Sequence, residues 1–182
     1  MNANISVEDF EAAALPHLND LYRTALRVTG NRDEADDLVQ ETYLQGWKSF
    51  HRFEPGTNCR AWLFKILFHV LHHHRRRLSR FIVIENADEV MENTLVYEPP
   101  VPQHISDEDI LRALAKLPEP YREVVLLADV EEFSYKEVAE ALGIPIGTVM
   151  SRLNRGRQQL RKTLAGFAPA HGGRPPLKTA AS

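Results

Sequence analysis

The residues of this chain best equipped for chemistry are cations set at helical spacing in two separate stretches. From Thr148 to Lys162 the sequence carries Arg152, Arg155, Arg157, Arg161 and Lys162 and no acid. On a helix, Thr148, Ser151, Arg152, Arg155 and Gln159 share one side, and Ile146, Val149, Leu153, Gly156 and Leu160 recur on the other at spacings of three and four. The apolar face must pack inward. The polar face can bond phosphates and base edges, where a bidentate Arg–guanine pair is worth roughly 1–3 kcal/mol of discrimination. Solvated helix faces usually mix signs, so an acid-free stretch of this length points to nucleic acid. The spacing does not say which arginine reads a base and which holds a phosphate.

The second stretch runs from Asn58 to Arg77. Trp62, Lys65, His69, His72, His73 and Arg76 share one side of a helix there, and Leu63, Ile66, Leu67 and Val70 another. An aromatic at the head of a basic helix can stack an unpaired base while the cations follow the backbone, which suits opening DNA better than a closed duplex. Trp62 taken alone reads equally as a core aromatic. His72, His73 and His74 diverge by about 100° each and cannot face one metal ion together. His69 and His73 have the i, i+4 spacing, but no carboxylate lies nearby in sequence to complete a site, so no metal is expected. Cys59 beside Arg60 reads either as a thiol of lowered pKa or as a small buried residue near a helix start. No nucleophile–base–orienter set is present, so the chain reads as non-enzymatic, with no cofactor.

The elements that must position these side chains are helices. Ser134-Tyr135-Lys136-Glu137 is a capping box that opens a short helix with Val138, Ala139 and Leu142 on its buried side. Gly143 closes it, and a three-residue bridge leads to the helix beginning near Ile146. Two helices joined by a short Gly-containing turn are a helix-turn-helix, whose second helix enters the major groove. Upstream, an opening helix is expected near Val7 to Thr29, ending at Gly30-Asn31. A second starts at Asn31, with Glu34 as the reciprocal capping residue and Ala35, Leu38, Val39, Thr42, Trp47 and Phe50 as its apolar stripe. Its acids Asp33, Glu34, Asp36, Asp37 and Glu41 complement the helix dipole. Asp37, Gln40, Glu41 and Leu44 also share the face opposite the stripe and could dock a basic partner; both readings stay open.

Net charge is −3 over 182 residues, an average that hides segregation. Phe81 to Leu111 contains eight acids and no Lys or Arg, just after Arg75-Arg76-Arg77 and Arg80. Screening over about 8 Å keeps such blocks from cancelling. The pattern therefore predicts an all-α protein of two small helical domains, 7–80 and 106–166, joined by a flexible acidic linker at 81–105 and followed by a disordered tail at 167–182. A single cysteine, no apolar run of membrane length and an acidic N-terminus fit a soluble, cytoplasmic chain.

Four stretches in this order resemble the extracytoplasmic-function (ECF, group IV) sigma factors of the sigma-70 family. They are Asp36-Asp37-Leu38-Val39-Gln40-Glu41-Thr42, Ala61-Trp62-Leu63-Phe64-Lys65-Ile66, Tyr135-Lys136-Glu137-Val138-Ala139, and Gly147-Thr148-Val149-Met150-Ser151-Arg152-Leu153 continuing to Arg155-Gly156-Arg157. With their spacing they cover nearly all of Phe10 to Leu164. The resemblance implies that Asp37, Gln40 and Glu41, with Leu44 beside them, grip the clamp helices of the RNA polymerase beta-prime subunit. It implies that Asn58, Arg60, Trp62, Lys65, His69, His73 and Arg76 serve the −10 element. It implies that Thr148, Met150, Ser151, Arg152, Asn154, Arg155 and Gln159 serve the −35 element. The remaining helices of the second domain would sit on the beta flap, the acidic linker would thread toward the active-site channel, and an anti-sigma factor would hold the protein in check. Met150 and Asn154 stand where relatives often carry longer basic or aromatic residues, and the histidine run is unusual. The competing reading is a stand-alone helix-turn-helix repressor or activator that binds an operator without polymerase.

Overall fold

The computed structural model describes residues 6–79 and 105–167, and among these every regular element is helical. The expected acidic linker and the tail, apart from Ile105 and Phe167, lie outside the described residues. The order is α1 (Val7–Ala14), α2 (Leu18–Thr29), α3 (Arg32–Ser49), α4 (Cys59–Ser79), α5 (Asp107–Lys116), α6 (Glu119–Val125), α7 (Tyr135–Leu142) and α8 (Ile146–Ala165).

Local chemistry sets the boundaries. Ser6, Ser106 and Ser134 each accept from the backbone amide three residues on, and Asp9, Asp109 and Glu137 return the bond. Gly30 closes α2 and Gly143 closes α7, both left-handed, at φ 71° and 65°. The single opening helix expected from the sequence is two: a 3-10 turn at Leu15–His17 separates α1 from α2, with Pro16 in it unable to donate an amide to a continuous helix. Asn31 caps α3 by accepting from Asp33 and Glu34, but the reciprocal bond expected from the Glu34 side chain is not formed. Trp47, assigned to the inward stripe of α3, is instead 39% exposed, its ring lying edge-on to Phe10 at the margin of the core.

Beyond α6 the chain makes a π-type turn at Leu126–Val130, then Glu132 takes a left-handed φ of 57° before Phe133 re-enters the core. The two halves do not keep separate cores. Leu63, Phe64, Leu67 and Phe68 of α4 belong to the same buried cluster as Leu126, Leu127, Val138 and Val149. Phe64 meets Phe133 edge-to-face, ring centroids 5.0 Å apart.

Candidate nucleic-acid interface

Helix α8 packs on α5, α6 and α7, and its Val149, Leu153 and Gly156 are buried, as its periodicity predicts. Gly156 is what permits the approach, since a Cβ there would lie 2.8 Å from Val125 Cγ2 and 3.3 Å from Tyr121 Cβ. Ile146 does not join them. It is 50% exposed, and Met150 one turn on is 55% exposed, although Val149 between them is fully buried. Met150, Ser151 and Asn154 are open to solvent; Thr148, Arg152, Arg155 and Gln159 are half-buried. The seven residues expected to serve the −35 element thus line a single helix. Arg157 is set apart from them by its pairing with Asp129, which raises its pKa chiefly through that hydrogen bond.

Helix α4 presents two cationic faces, which the sequence reading merged into one. The first lines an open groove of about 1540 Å³ between α3, α4 and α7. Trp62, Lys65, His69, His73 and Arg76 of the expected −10 set meet there, joined by Arg52. Trp62 is only half-buried, in ring contact with Phe53 at 5.1 Å and Phe50 at 6.1 Å, so it is part of an aromatic cluster and of the groove wall at once.

The second face of α4 meets the other half of the protein. Arg60 donates from Nη1 to the Glu131 carbonyl at 2.8 Å, pairs through Nη2 with the Glu131 carboxylate, and reaches Asp20 from Nε at 3.1 Å. Its guanidinium lies over the rings of Phe133 and Phe64, 4.7 and 5.1 Å from their centroids. Asn58 caps the first turn of α4 by accepting from Ala61, and donates to Glu137 at 2.8 Å. His72 sits 3.0 Å from Glu123, and Arg75 bridges Glu119 at 2.5 Å and Glu123 at 2.8 Å. Asn58 and Arg60 therefore stand apart from the other five −10 candidates, while His72 lines the groove with its stripe and also reaches Glu123. The sequence does not single out Thr24, Arg27, Arg75, Glu123 and Glu131, whose partners are 44 to 107 residues away along the chain. No local periodicity announces such pairs.

His72, Glu119 and Glu123 offer ligand atoms within 4.8 Å of one another, a set distinct from the His69–His73 spacing considered in the sequence. Arg75 already neutralises both carboxylates, and a metal ion would have to displace it. Cys59 is half-buried, and burial pushes its thiol up rather than down.

On α3, Asp37, Gln40 and Leu44 are exposed and Glu41 is half-buried, holding Gln45 at 2.7 Å. Leu44 is an apolar side chain left 46% exposed in the middle of this polar face. Among the described residues no helix is long and apolar enough to cross a membrane.

A helix-turn-helix beside a second helical unit, each with its own cationic face, defines a DNA-binding transcription protein. Residues 14–81 match the family model described as Sigma-70 region 2, and residues 107–160 match Sigma-70, region 4. The chain is 38% identical over 159 residues to the ECF RNA polymerase sigma factor EcfG of Rhodopseudomonas palustris (strain TIE-1), covering 87% of this chain and 85% of that one. It is also 38% identical over 157 residues to ECF RNA polymerase sigma factor SigE of Mycolicibacterium smegmatis, covering 82% of this chain and 59% of that one. Among solved structures it resembles the sigma factor RpoE in complex with the anti-sigma factor NepR from Bartonella quintana, with a TM-score of 0.69, 32% identity, and coverage of 87% and 98%. The chain belongs to the ECF sigma factors of the sigma-70 family: it is an RNA polymerase sigma factor.

Proposed function

We propose that this sigma factor divides its labour among three surfaces and performs no catalysis of its own. The face of α3 bearing Asp37, Gln40, Glu41 and Leu44 docks on the beta-prime clamp helices of core polymerase. The α4 groove, with Trp62, Lys65, His69, His73 and Arg76, together with Asn58 and Arg60, handles the −10 element. Helix α8, with Thr148, Met150, Ser151, Arg152, Asn154, Arg155 and Gln159, reads the −35 element, while the rest of the second domain (106–166) seats on the beta flap. The first domain spans 7–80, and the acidic segment 81–105 connects the two. The protein works in the cytoplasm under an anti-sigma factor, a partner class that also appears in the RpoE–NepR complex of Bartonella quintana.

The observation that carries this reading is the exposure of Met150, Ser151 and Asn154 on α8 while an apolar residue, Leu44, stands uncovered on the separate face of α3. The test is transcription in vitro from a genomic promoter library, with core polymerase alone and with core plus this protein. Specific initiation that needs both, with little promoter affinity for the free chain, is expected. Unchanged transcription on adding the protein, or tight operator binding by the free protein as a dimer, would overturn it.

A further inference from the structure

Among the described residues only two charged side chains are buried, Glu123 at 4% exposure and Glu131 at 7%. Both belong to the second half, and the groups that satisfy their side chains belong to the first. Glu131 accepts from Thr24 Oγ1 at 2.7 Å, pairs with Arg60, and lies 3.5 Å from Arg27. Glu123 is held by His72 and Arg75, and Arg75 is itself anchored to the Val28 carbonyl at 2.9 Å. We infer that Glu123 and Glu131 form an internal clasp, which holds this sigma factor closed and keeps Arg60 from promoter DNA until the halves part.

A buried carboxylate is costly unless paired, so both acids are tolerable only while the first half supplies their cations. An interface that must come apart benefits from charges that water accepts again on opening, where a purely apolar seam would leave two sticky faces. Next, Arg60 and Asn58, assigned above to the −10 element, are occupied by Glu131 and Glu137, so the second half fills positions intended for nucleic acid. Lastly, the closed shape is too short. Elements centred about 25 base pairs apart, at ~3.4 Å per pair, lie ~85 Å from each other along a duplex. A globule of roughly this many residues is only about 40 Å across, so α4 and α8 cannot reach both elements until the halves separate.

The inference rests on the functional reading above, and its first readout is independent of polymerase. A donor–acceptor dye pair placed at exposed Glu11 and Lys162, in a Cys59→Ser background, reports the separation of the halves in the full chain. High transfer is expected for the free protein, falling on addition of core and promoter. Glu123→Gln with Glu131→Gln should lower transfer without any partner. By removing charge-assisted bonds it should shift the closed-to-open ratio by about tenfold or more. Apparent affinity for core then tightens by a similar factor, because it scales with the open fraction. Thr24→Val, which deletes one bond to Glu131 and touches no promoter or polymerase surface, should open the chain less; it decides the matter if the double variant fails to show native helical circular dichroism. Low transfer in the free wild type, wild-type transfer in folded variants, or opened variants with unchanged core affinity would each overturn the clasp. A clasp that opens as expected in a protein that never binds core would instead count against the functional reading.

Discussion

Arg157 grips Asp129 with two donors, Nε at 3.0 Å and Nη2 at 2.5 Å, tying the middle of α8 to the π-type turn that follows α6. The sequence shows five cations from Thr148 to Lys162. The structure gives this one a structural post. Both side chains keep solvent contact, so the pair contributes about 0.5–1 kcal/mol, the upper range for an exposed but bidentate bridge. Arg157→Ala should therefore lower the thermal midpoint by a few degrees. Arg152→Ala or Arg155→Ala should leave it unchanged and weaken −35 recognition by about tenfold each, with core binding intact. Thermal unfolding and promoter titration of the same three variants check this; equal loss of core binding in the Arg152 variant would contradict the proposed division of labour.

Gly156 marks the closest approach of α8 to α6. Its absent Cβ would meet Val125 Cγ2 at 2.8 Å, and Val125 is only 2% exposed, a β-branched residue on a helix with little freedom to turn aside. Alanine has the better helix propensity by about 1 kcal/mol, but overpacking a tight contact costs about 1–3 kcal/mol. The net expectation for Gly156→Ala is destabilisation of up to about 2 kcal/mol with α8 displaced. Denaturant unfolding measures the loss, and a midpoint equal to or above wild type would mean that α6 yields at no cost.

What could be read in advance follows the range of the interactions involved. The capping box at Ser134, the glycine ends of α2 and α7, and the inward stripe Val149, Leu153, Gly156 are set by residues within a turn or two of each other. Those periods are visible in a sequence. Trp47 and Ile146 depart from their inward stripes because periodicity gives the direction of a side chain but not whether another element is there to cover it. The greater gap is α4. Its cations are of the same residue types, and only the acids of a distant segment reveal that Arg60 faces protein, that His72 and Arg75 line the groove while pairing with Glu123, and that Lys65, His69 and Arg76 face the groove. That distinction depends on tertiary packing, which the linear spacing of α4 does not contain.

Cys59 sits at the start of α4, half-buried, and desolvation raises its thiol pKa. The neutral thiol is a poor nucleophile, so the redox-sensor reading suggested by Arg60 next to it loses its physical basis; the Arg60 guanidinium is turned toward Asp20 and Glu131. Alkylation of the native protein by iodoacetamide at pH 7 should run well below the rate for a free cysteine, and mild peroxide should leave transcription unaffected. Rapid modification with loss of activity would restore the sensing role.

Ser134 and Glu137 make the acid-sensitive point of the helix-turn-helix. Glu137 is held below its ordinary value of 4.5, first by the hydrogen bond from the Ser134 side chain, with Asn58 and Arg60 of the other half adding to the same direction. A carboxyl with a lowered folded pKa stabilises the fold while ionised. Its contribution is complete above the unfolded value and is lost as pH falls through the lower, folded one. The wild-type helix-turn-helix should therefore hold at neutral pH and weaken only below about 4.5. Ser134→Ala removes the largest of these causes and one N-cap bond, at a cost of about 1 kcal/mol at pH 7. The deficit should shrink as the pH is lowered toward 3, since protonation removes from the wild type part of what the variant has already lost. Urea unfolding of both proteins between pH 7 and pH 3 tests this; two stability curves that stay parallel over that range would mean the Ser134–Glu137 pair is not coupled to folding.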